Sequence, residues 1–386
     1  MDTVYLDNAA TSYPKPPAVA ERMTEYTLNV GASINRSVYA AAHEAEEVTY
    51  ALRERLCRLM SFPYPRGAVI TPGNTAGLNM IIKGLLKEGD HCLVSSVEHN
   101  AVMRPLTQLR GRGVSFDRVP CGGDGIADAD AVAGMIRPDT KLVIMTHASN
   151  VGGGIQDVEA VGRICEEKGV FFAVDAAQTA GHIKVDFTAA RLAALSAPGH
   201  KGLMGPSGIG ALLLRRDLAE SLEPLIEGGT GSASDSEEQP DYMPDRFESG
   251  TANLPGIYGL EAALAFMEST GIDAVRGHDI LLTARFLDGL DQIKSVRLVG
   301  PRDINKRVGV ISVDFTEQDN AECAALLAEK YGILTRCGLH CAPAAHRALG
   351  TFPQGTVRFS IGYFNTERDI DAALRAVDGI ARGRQS

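Results

Sequence analysis

Short apolar runs separated by helix-spaced stretches recur along the first two-thirds of this chain. GAVIT (67–71), HCLVSS (91–96), VSFDRV (114–119), KLVIMTH (141–147), FFAVDAA (171–177), LAALSAP (192–198) and GIGALLL (208–214) have strand length and composition. Between them, AGLNMIIKGLL (76–86) and DVEAVGRICEEKG (157–169) carry the spacing of helices packed on one face. Apolar strands alternating with helices predict an α/β fold, its mostly parallel sheet covered on both sides. From about residue 254 the texture changes. Two long helical patterns, 253–268 and 273–293, precede RVGVISVDF, a helix AECAALLAEKYG and the strand TVRFSIG. That order predicts a smaller α+β domain over 254–386, joined by the N-terminal segment 1–14, beside a large domain over 15–253. The acidic, turn-rich stretch 227–246 reads as a solvated loop or, by its position, as a functional or interface loop.

Composition narrows the class. A chain of 386 residues with 45% hydrophobic content can bury two cores, and a net charge of −10 argues against a general polyanion binder such as a nucleic-acid protein. No run approaches the roughly 18–20 apolar residues of a membrane span, and MDTVYLDNAATSYPKP lacks the pattern of a signal peptide. Seven scattered cysteines form no disulfide framework, and a cytoplasmic location is expected. Cys57, Cys92, Cys121, Cys165 and Cys323 read as small buried hydrophobes.

Ligands of open α/β sheets bind beyond the carboxyl ends of the strands. Each strand here delivers a different polar group to that edge. PGNT (72–75) opens a helix, whose N-terminal amides, with Asn74 and Thr75, suit a phosphate; alone it reads equally well as an N-cap. It is not a P-loop, and no GxGxxG opens the sheet, which weighs against a dinucleotide oxidoreductase. His99 could lie flat on an aromatic ring. Asp175, at the end of an apolar strand, calls for a cation such as a protonated pyridine nitrogen. Lys201, set in SAPGHKGLMGPSGIG, can condense with an aldehyde once its pKa is lowered. Phosphate, pyridinium and aldehyde on one ligand describe pyridoxal 5′-phosphate.

With these residues goes a run of motifs spanning nearly the whole chain: VYLDNAAT, GNTAGLN, SVEHNAV, THASNVGG, VDAAQTAGH, GHKGLMGPSGIG, RFESGTAN, RCGLHCAP and VRFSIGYFNT. In their number, order and spacing the chain resembles the class V aminotransferase family of fold-type I pyridoxal-phosphate enzymes, within its cysteine desulfurase and selenocysteine lyase branch. The resemblance implies that Lys201 is the Schiff-base lysine, Asp175 the partner of the pyridine nitrogen and His99 the ring that stacks. It places Asn150 and Gln178 on the phenolic side, and Asn74, Thr75 and His200 at the phosphate. It also implies a homodimer in which Thr251 reaches the partner's phosphate site. One departure stands out: many desulfurases have a serine three residues before the lysine, where this chain has Pro198.

The resemblance further assigns Cys341, in RCGLHCAP, as the thiol that takes sulfur from substrate. Thiolates form most readily near positive charge or a histidine, and Arg336 and His340 are close in sequence. Arg358, a planar bidentate donor, suits the substrate carboxylate, with Asn150 and the segment around Ala10 beside it. The expected reaction converts L-cysteine to L-alanine. Lys201 moves the Cα proton, His99 shuttles a proton, and a persulfide on Cys341 passes to a protein acceptor. The short connection between ILTR and Cys341 resembles the Suf-type branch. Selenocysteine lyase is the nearest alternative, because selenium can leave without an attacking thiol. A generic class V aminotransferase or lyase, with Cys341 inert, stands further off. Cys337, His340, Cys341 and His346 match no common zinc spacing, and no metal is expected. A non-catalytic scaffold would be expected to have lost Lys201 or Asp175. Cys337 reads as a second acceptor or, more plainly, as an ordinary small residue.

Overall fold

The computed structural model describes residues 3–34 and 38–383. Its strands run in chain order as β1 (Val4–Tyr5), β2 (Ala68–Thr71), β3 (His91–Ser95), β4 (Ser115–Val119), β5 (Thr140–Thr146), β6 (Phe171–Asp175), β7 (Ala194–Pro198), β8 (Gly210–Leu214), β9 (Val296–Val299), β10 (Val310–Phe315), β11 (Ile333–Leu334), β12 (Arg336–Gly338) and β13 (Thr356–Ser360). The large sheet has the order β2-β8-β7-β6-β5-β3-β4. β8 is antiparallel to both neighbours, and the other six strands share one direction. Six carboxyl ends therefore lie along one edge, as the alternation of strands and helices predicts.

Every residue of β3, β7 and β8 is buried, because helices cover both faces of the sheet. That is why these strands read as continuous apolar runs rather than alternating ones. The helices begin and end where side chains and glycines satisfy their terminal groups. Asp157 accepts from Ala160 N at 2.9 Å to start Val158–Lys168, and Gly169, at φ 67°, closes it.

The texture change near 254 does not coincide with the change of core. Helix Leu254–Thr270 sends Leu254, Ile257, Tyr258, Leu260 and Leu264 into the core beneath the large sheet. The second core gathers Leu282, Phe286 and Leu287 of helix Ile272–Leu290 with Ile311, Val357 and Phe359. Core membership thus changes between these two helices. In the N-terminal segment β1 pairs with β11, and Val4 and Leu6 enter the second core.

The smaller sheet, antiparallel in the order β12-β13-β10-β9, has two unlike faces. Val357 and Phe359 of β13, with Ile311 and Val313 of β10, face the helices. The alternate residues Thr356, Arg358, Ser360 and Ser312 are polar, buried and turned the other way, toward the large domain. Segment 227–246 contains no strand and is mostly exposed. Among the described residues no helix is long and apolar enough to cross a membrane.

Candidate active site

The carboxyl edge of the large sheet opens into a cavity of about 510 Å³. Eight residues expected at the site line it: Asn74, Thr75, His99, Asn150, Asp175, Gln178, His200 and Lys201. Each ends a strand or comes from the segment that follows one. Asn74 and Thr75 open helix Asn74–Leu85 after β2, with Gly73 before them at φ 148° and nothing within 4 Å of the place a Cβ would take. The helix N-terminus is thus open for close approach by an anion.

Asp175 ends β6, 1% exposed. Its Oδ1 accepts from Ala177 N at 2.9 Å and from Asn74 Nδ2 at 2.8 Å, which leaves Oδ2 for a cation. The Asn74 side chain is thereby turned to Asp175 rather than held free for a phosphate. It orients the carboxylate.

Lys201 follows β7. Burial lowers its pKa to about 8 against the pull of Asp175, with Arg358 and Arg336 lowering it further, so a neutral amine is accessible near neutral pH. His200 stays neutral: burial first, then Lys201 and Lys15, lower its pKa to about 4, and its Nδ1 is buried without a partner. Its carbonyl is fixed by Ser12 N at 2.8 Å and Thr11 Oγ1 at 3.1 Å. Pro198 does line the cavity in place of the usual serine, and Ser207, from the connection between β7 and β8, brings a hydroxyl to the same wall.

His99 caps helix Asn100–Arg110 by accepting from Ala101 N at 3.0 Å through Nδ1, so Nε2 carries the proton. Burial keeps its pKa below the ordinary value. Gln178 donates to Ala9 O at 3.2 Å and holds the N-terminal segment over the site. Ala10 lies in that segment, its N bonded to Asp7 O at 3.0 Å, and does not line the cavity.

The small domain contributes from its polar face. Arg358 donates Nη2 to Asp7 Oδ1 at 2.9 Å and Nη1 to Asn150 O at 3.2 Å; its Nε is buried without an acceptor. The Asn150 side chain donates to His340 O at 2.7 Å, and Asn100 N donates to Cys341 O at 2.8 Å. The Cys341 turn is therefore tied to the cavity wall beside His99. Cys341 is exposed. His340 is not the cation its sequence position offers. Burial, with Arg358 next, pushes its pKa to about 2, so the ring is neutral.

Thr251 does not line this cavity. It stands exposed in a neighbouring one of about 860 Å³ that shares Pro72 and Gly208 with the first. Cys337 pairs with Val357 on the apolar side of the small sheet, near Cys323, and faces away from Arg358. His340 and His346 bond to Thr356 and Thr351, and among the described residues no three His, Cys, Asp or Glu side chains are grouped to hold a metal ion. Of the cysteines expected to be buried, Cys57, Cys92, Cys165 and Cys323 are so, and Cys121 is half-buried. Two groups escaped the sequence reading. Asp7 stands in the quoted VYLDNAAT. Glu98, beside His99, is fully buried, accepts from Thr146 N at 2.8 Å and from Ser95, and is driven to a pKa of about 8 chiefly by burial.

The donor set fits pyridoxal phosphate: an open helix N-terminus with an orphaned His200 Nδ1, a buried carboxylate with one free oxygen, a flat neutral imidazole and a lysine of lowered pKa.

Comparison with known proteins agrees. The family model described as "Aminotransferase class-V" matches residues 4–373. A probable cysteine desulfurase of Methanothermobacter thermautotrophicus is 34% identical, covering 98% of this chain and 95% of its own. The cysteine desulfurase CsdA of Escherichia coli is 32% identical over 97% and 93%. Among solved structures, the apo cysteine desulfurase of Thermococcus onnurineus NA1 superposes with a TM-score of 0.92 at 31% identity, covering 99% of this chain and 95% of that one. Escherichia coli CsdA in an S-sulfonic acid form gives 0.88 at 29%, covering 99% and 95%. The chain belongs to the class-V aminotransferase family of pyridoxal-phosphate enzymes, among its cysteine desulfurases.

Proposed function

We propose that this cysteine desulfurase converts L-cysteine to L-alanine and collects the sulfur as a persulfide on Cys341. The observation that carries the assignment is the Cys341 turn. It is exposed at the surface, yet its two peptide carbonyls are held by Asn150 and Asn100 at the cavity wall.

Pyridoxal phosphate, when bound, supplies an electron sink for the Cα of the amino acid. Lys201, Asp175, His99 and Gln178 would hold its reactive end, and Thr75, His200 and the helix N-terminus its phosphate. Arg358 receives the substrate carboxylate: Asp7 and Asn150 O fix two of its nitrogens, and the free Nε still seeks an acceptor. Lys201, neutral above about pH 8, takes the Cα proton. The proton on His99 Nε2 is available to the departing side of the reaction. The Cys341 thiolate attacks the substrate sulfur, so that the carbon–sulfur bond breaks and a sulfur–sulfur bond forms. An exposed persulfide can then be reached by a protein acceptor.

The same proposal includes a homodimer, in which Thr251 completes the phosphate site of the partner, and a reducing, cytoplasmic setting in which seven free cysteines persist. Assignment to the Suf-type branch rests on the short link from β11 and β12 to Cys341.

Cys341→Ser tests the reading against selenocysteine lyase and a generic lyase. Alanine formation from L-cysteine should fall at least about a hundredfold, whereas breakdown of L-selenocysteine, whose carbon–selenium bond is weaker, should persist. Equal rates of variant and parent on both substrates would remove Cys341 from the mechanism.

A further inference from the structure

His340 and Cys341 both sit in the left-handed backbone region, at φ 47° and 58°. That conformation is costly for non-glycine residues, and two in succession persist only where their surroundings impose it. The Asn150 and Asn100 bonds fix the backbone of the turn. A third restraint acts through the His340 ring. His340 Nε2 lies 3.2 Å from Thr356 Oγ1, Thr356 Oγ1 donates to Ser312 Oγ at 3.0 Å, and Ser312 Oγ donates to Val151 O at 2.8 Å. All four residues are buried.

A carbonyl can only accept, so the direction of this chain is forced from its far end. Ser312 must give its proton to Val151 O. Its oxygen then accepts from Thr356, whose own oxygen is left to accept from His340 Nε2–H. The ring is thus a neutral tautomer with a bare Nδ1, and that atom is buried without a donor. Val151 follows Asn150 directly, so the chain ends on the loop that also holds His340 O and Arg358. The strained turn, the carboxylate-binding arginine and the cavity wall form one closed hydrogen-bonded loop.

We infer that Thr356, with Ser312, is the positioning residue for Cys341: its hydroxyl locks the His340 ring, which holds the strained turn so that the thiol meets the substrate sulfur. Neither residue lines the cavity. The inference rests on the reading of Cys341 as the nucleophile.

Thr356→Val removes the hydroxyl at nearly constant volume, and Thr356→Ser keeps it. Misplacement of a reacting group by about 1 Å costs up to roughly a hundredfold in rate. Thr356→Val is therefore expected to lower kcat for alanine formation from L-cysteine by about ten- to a hundredfold. KM and the visible absorbance of the bound cofactor should stay unchanged, and L-selenocysteine breakdown should be largely retained. The alkylation rate of Cys341 by iodoacetamide, read by mass spectrometry on the cofactor-free protein, should change in Thr356→Val and return to the parent value in Thr356→Ser. Should Thr356→Val not fold, Ser312→Ala interrupts the same chain and is read by the same assays. Parental kcat and alkylation in the valine variant would overturn the inference. So would a loss shared equally by both amino acids, or a serine variant as impaired as the valine one. Cys341→Ser, run alongside, separates the two levels: its full activity on L-cysteine would sink the nucleophile itself, and its inactivity beside a normal Thr356→Val would sink only the positioning role.

Discussion

Asn74 donates its side-chain amide to Asp175 Oδ1 at 2.8 Å, so the helix that opens the anion end of the cavity also orients the carboxylate at its cation end. Two functions that look separate in the sequence share one residue. A hydrogen bond to a charged acceptor is worth about 1.5–3 kcal/mol. Asn74→Ala should accordingly weaken cofactor binding by roughly ten- to a hundredfold, measured by titrating the cofactor-free protein and following visible absorbance. Asn74→Asp should do worse, by setting a second carboxylate against the first. Unchanged affinity in both variants would return Asn74 to a simple helix-start role.

Lys201 makes covalent capture of the cofactor aldehyde pH-dependent with a definite sign. Its pKa of about 8 means the nucleophilic neutral amine is scarce below that value and dominant above it. The capture rate should rise about tenfold per pH unit on approach to pH 8 and level off beyond. Asp175 raises this pKa, so Asp175→Asn should move the midpoint to lower pH. Stopped-flow mixing of cofactor with cofactor-free protein reads both. Lys201→Ala should show no visible band and no turnover at any pH.

The residues that the sequence displays best are those that end buried parallel strands. Such strands read as unbroken apolar runs, and polar residues at or just beyond their ends are conspicuous: Asn74, His99, Asn150, Asp175 and Lys201 all emerge this way. The pairing of Asp7 with Arg358 is different in kind. It joins residues 351 positions apart through two strands of the small domain and the N-terminal segment, and no local pattern announces it. The rotation of the Asn74 amide toward Asp175 is likewise a matter of three-dimensional acceptors. Helix Leu254–Thr270 buries residues nearly all round, so its pattern alone does not say which core it serves. Thr356 and Ser312 were within reach: in TVRFS the polar and apolar residues alternate, which marks a two-faced strand with Thr356 beside Arg358.

Arg53 and Glu248 form a two-pronged ion pair at 2.8 and 2.7 Å, nearly closed to solvent, and Glu248 Oε1 also accepts from Ile70 N at 2.6 Å. The pair pins the RFESGTAN segment against the edge strand β2. Removing one partner leaves a buried charge and an unpaired amide, at about 3–5 kcal/mol. Glu248→Ala should show that loss in denaturant unfolding. Arg53→Met with Glu248→Leu should recover much of it, because the cost lies in the orphaned groups rather than in the missing attraction.

Thr251, three residues beyond Glu248, is the residue on which the proposed shared phosphate site turns. In one chain it stands exposed in the neighbouring cavity, outside the wall formed by Thr75 and His200. If two chains associate so that each lends Thr251 to the other, a mixed dimer of Lys201→Ala and Thr251→Ala chains contains one fully intact site. The Thr251→Ala chain keeps its own Lys201 and receives Thr251 from its companion. The other site lacks both groups. At limiting cofactor the mixed dimer should therefore show close to half the parental activity, whereas each variant alone is inactive or weakened by roughly tenfold in cofactor affinity. Donation within one chain predicts the opposite, since every site in the mixture would then carry a defect and mixing would rescue nothing. Differently tagged chains, co-expressed and purified through both tags, supply the species, and sedimentation checks that it is a dimer. An active, cofactor-loaded monomer in that experiment would end the shared-site reading, because a lone chain would then complete the phosphate site without a second Thr251.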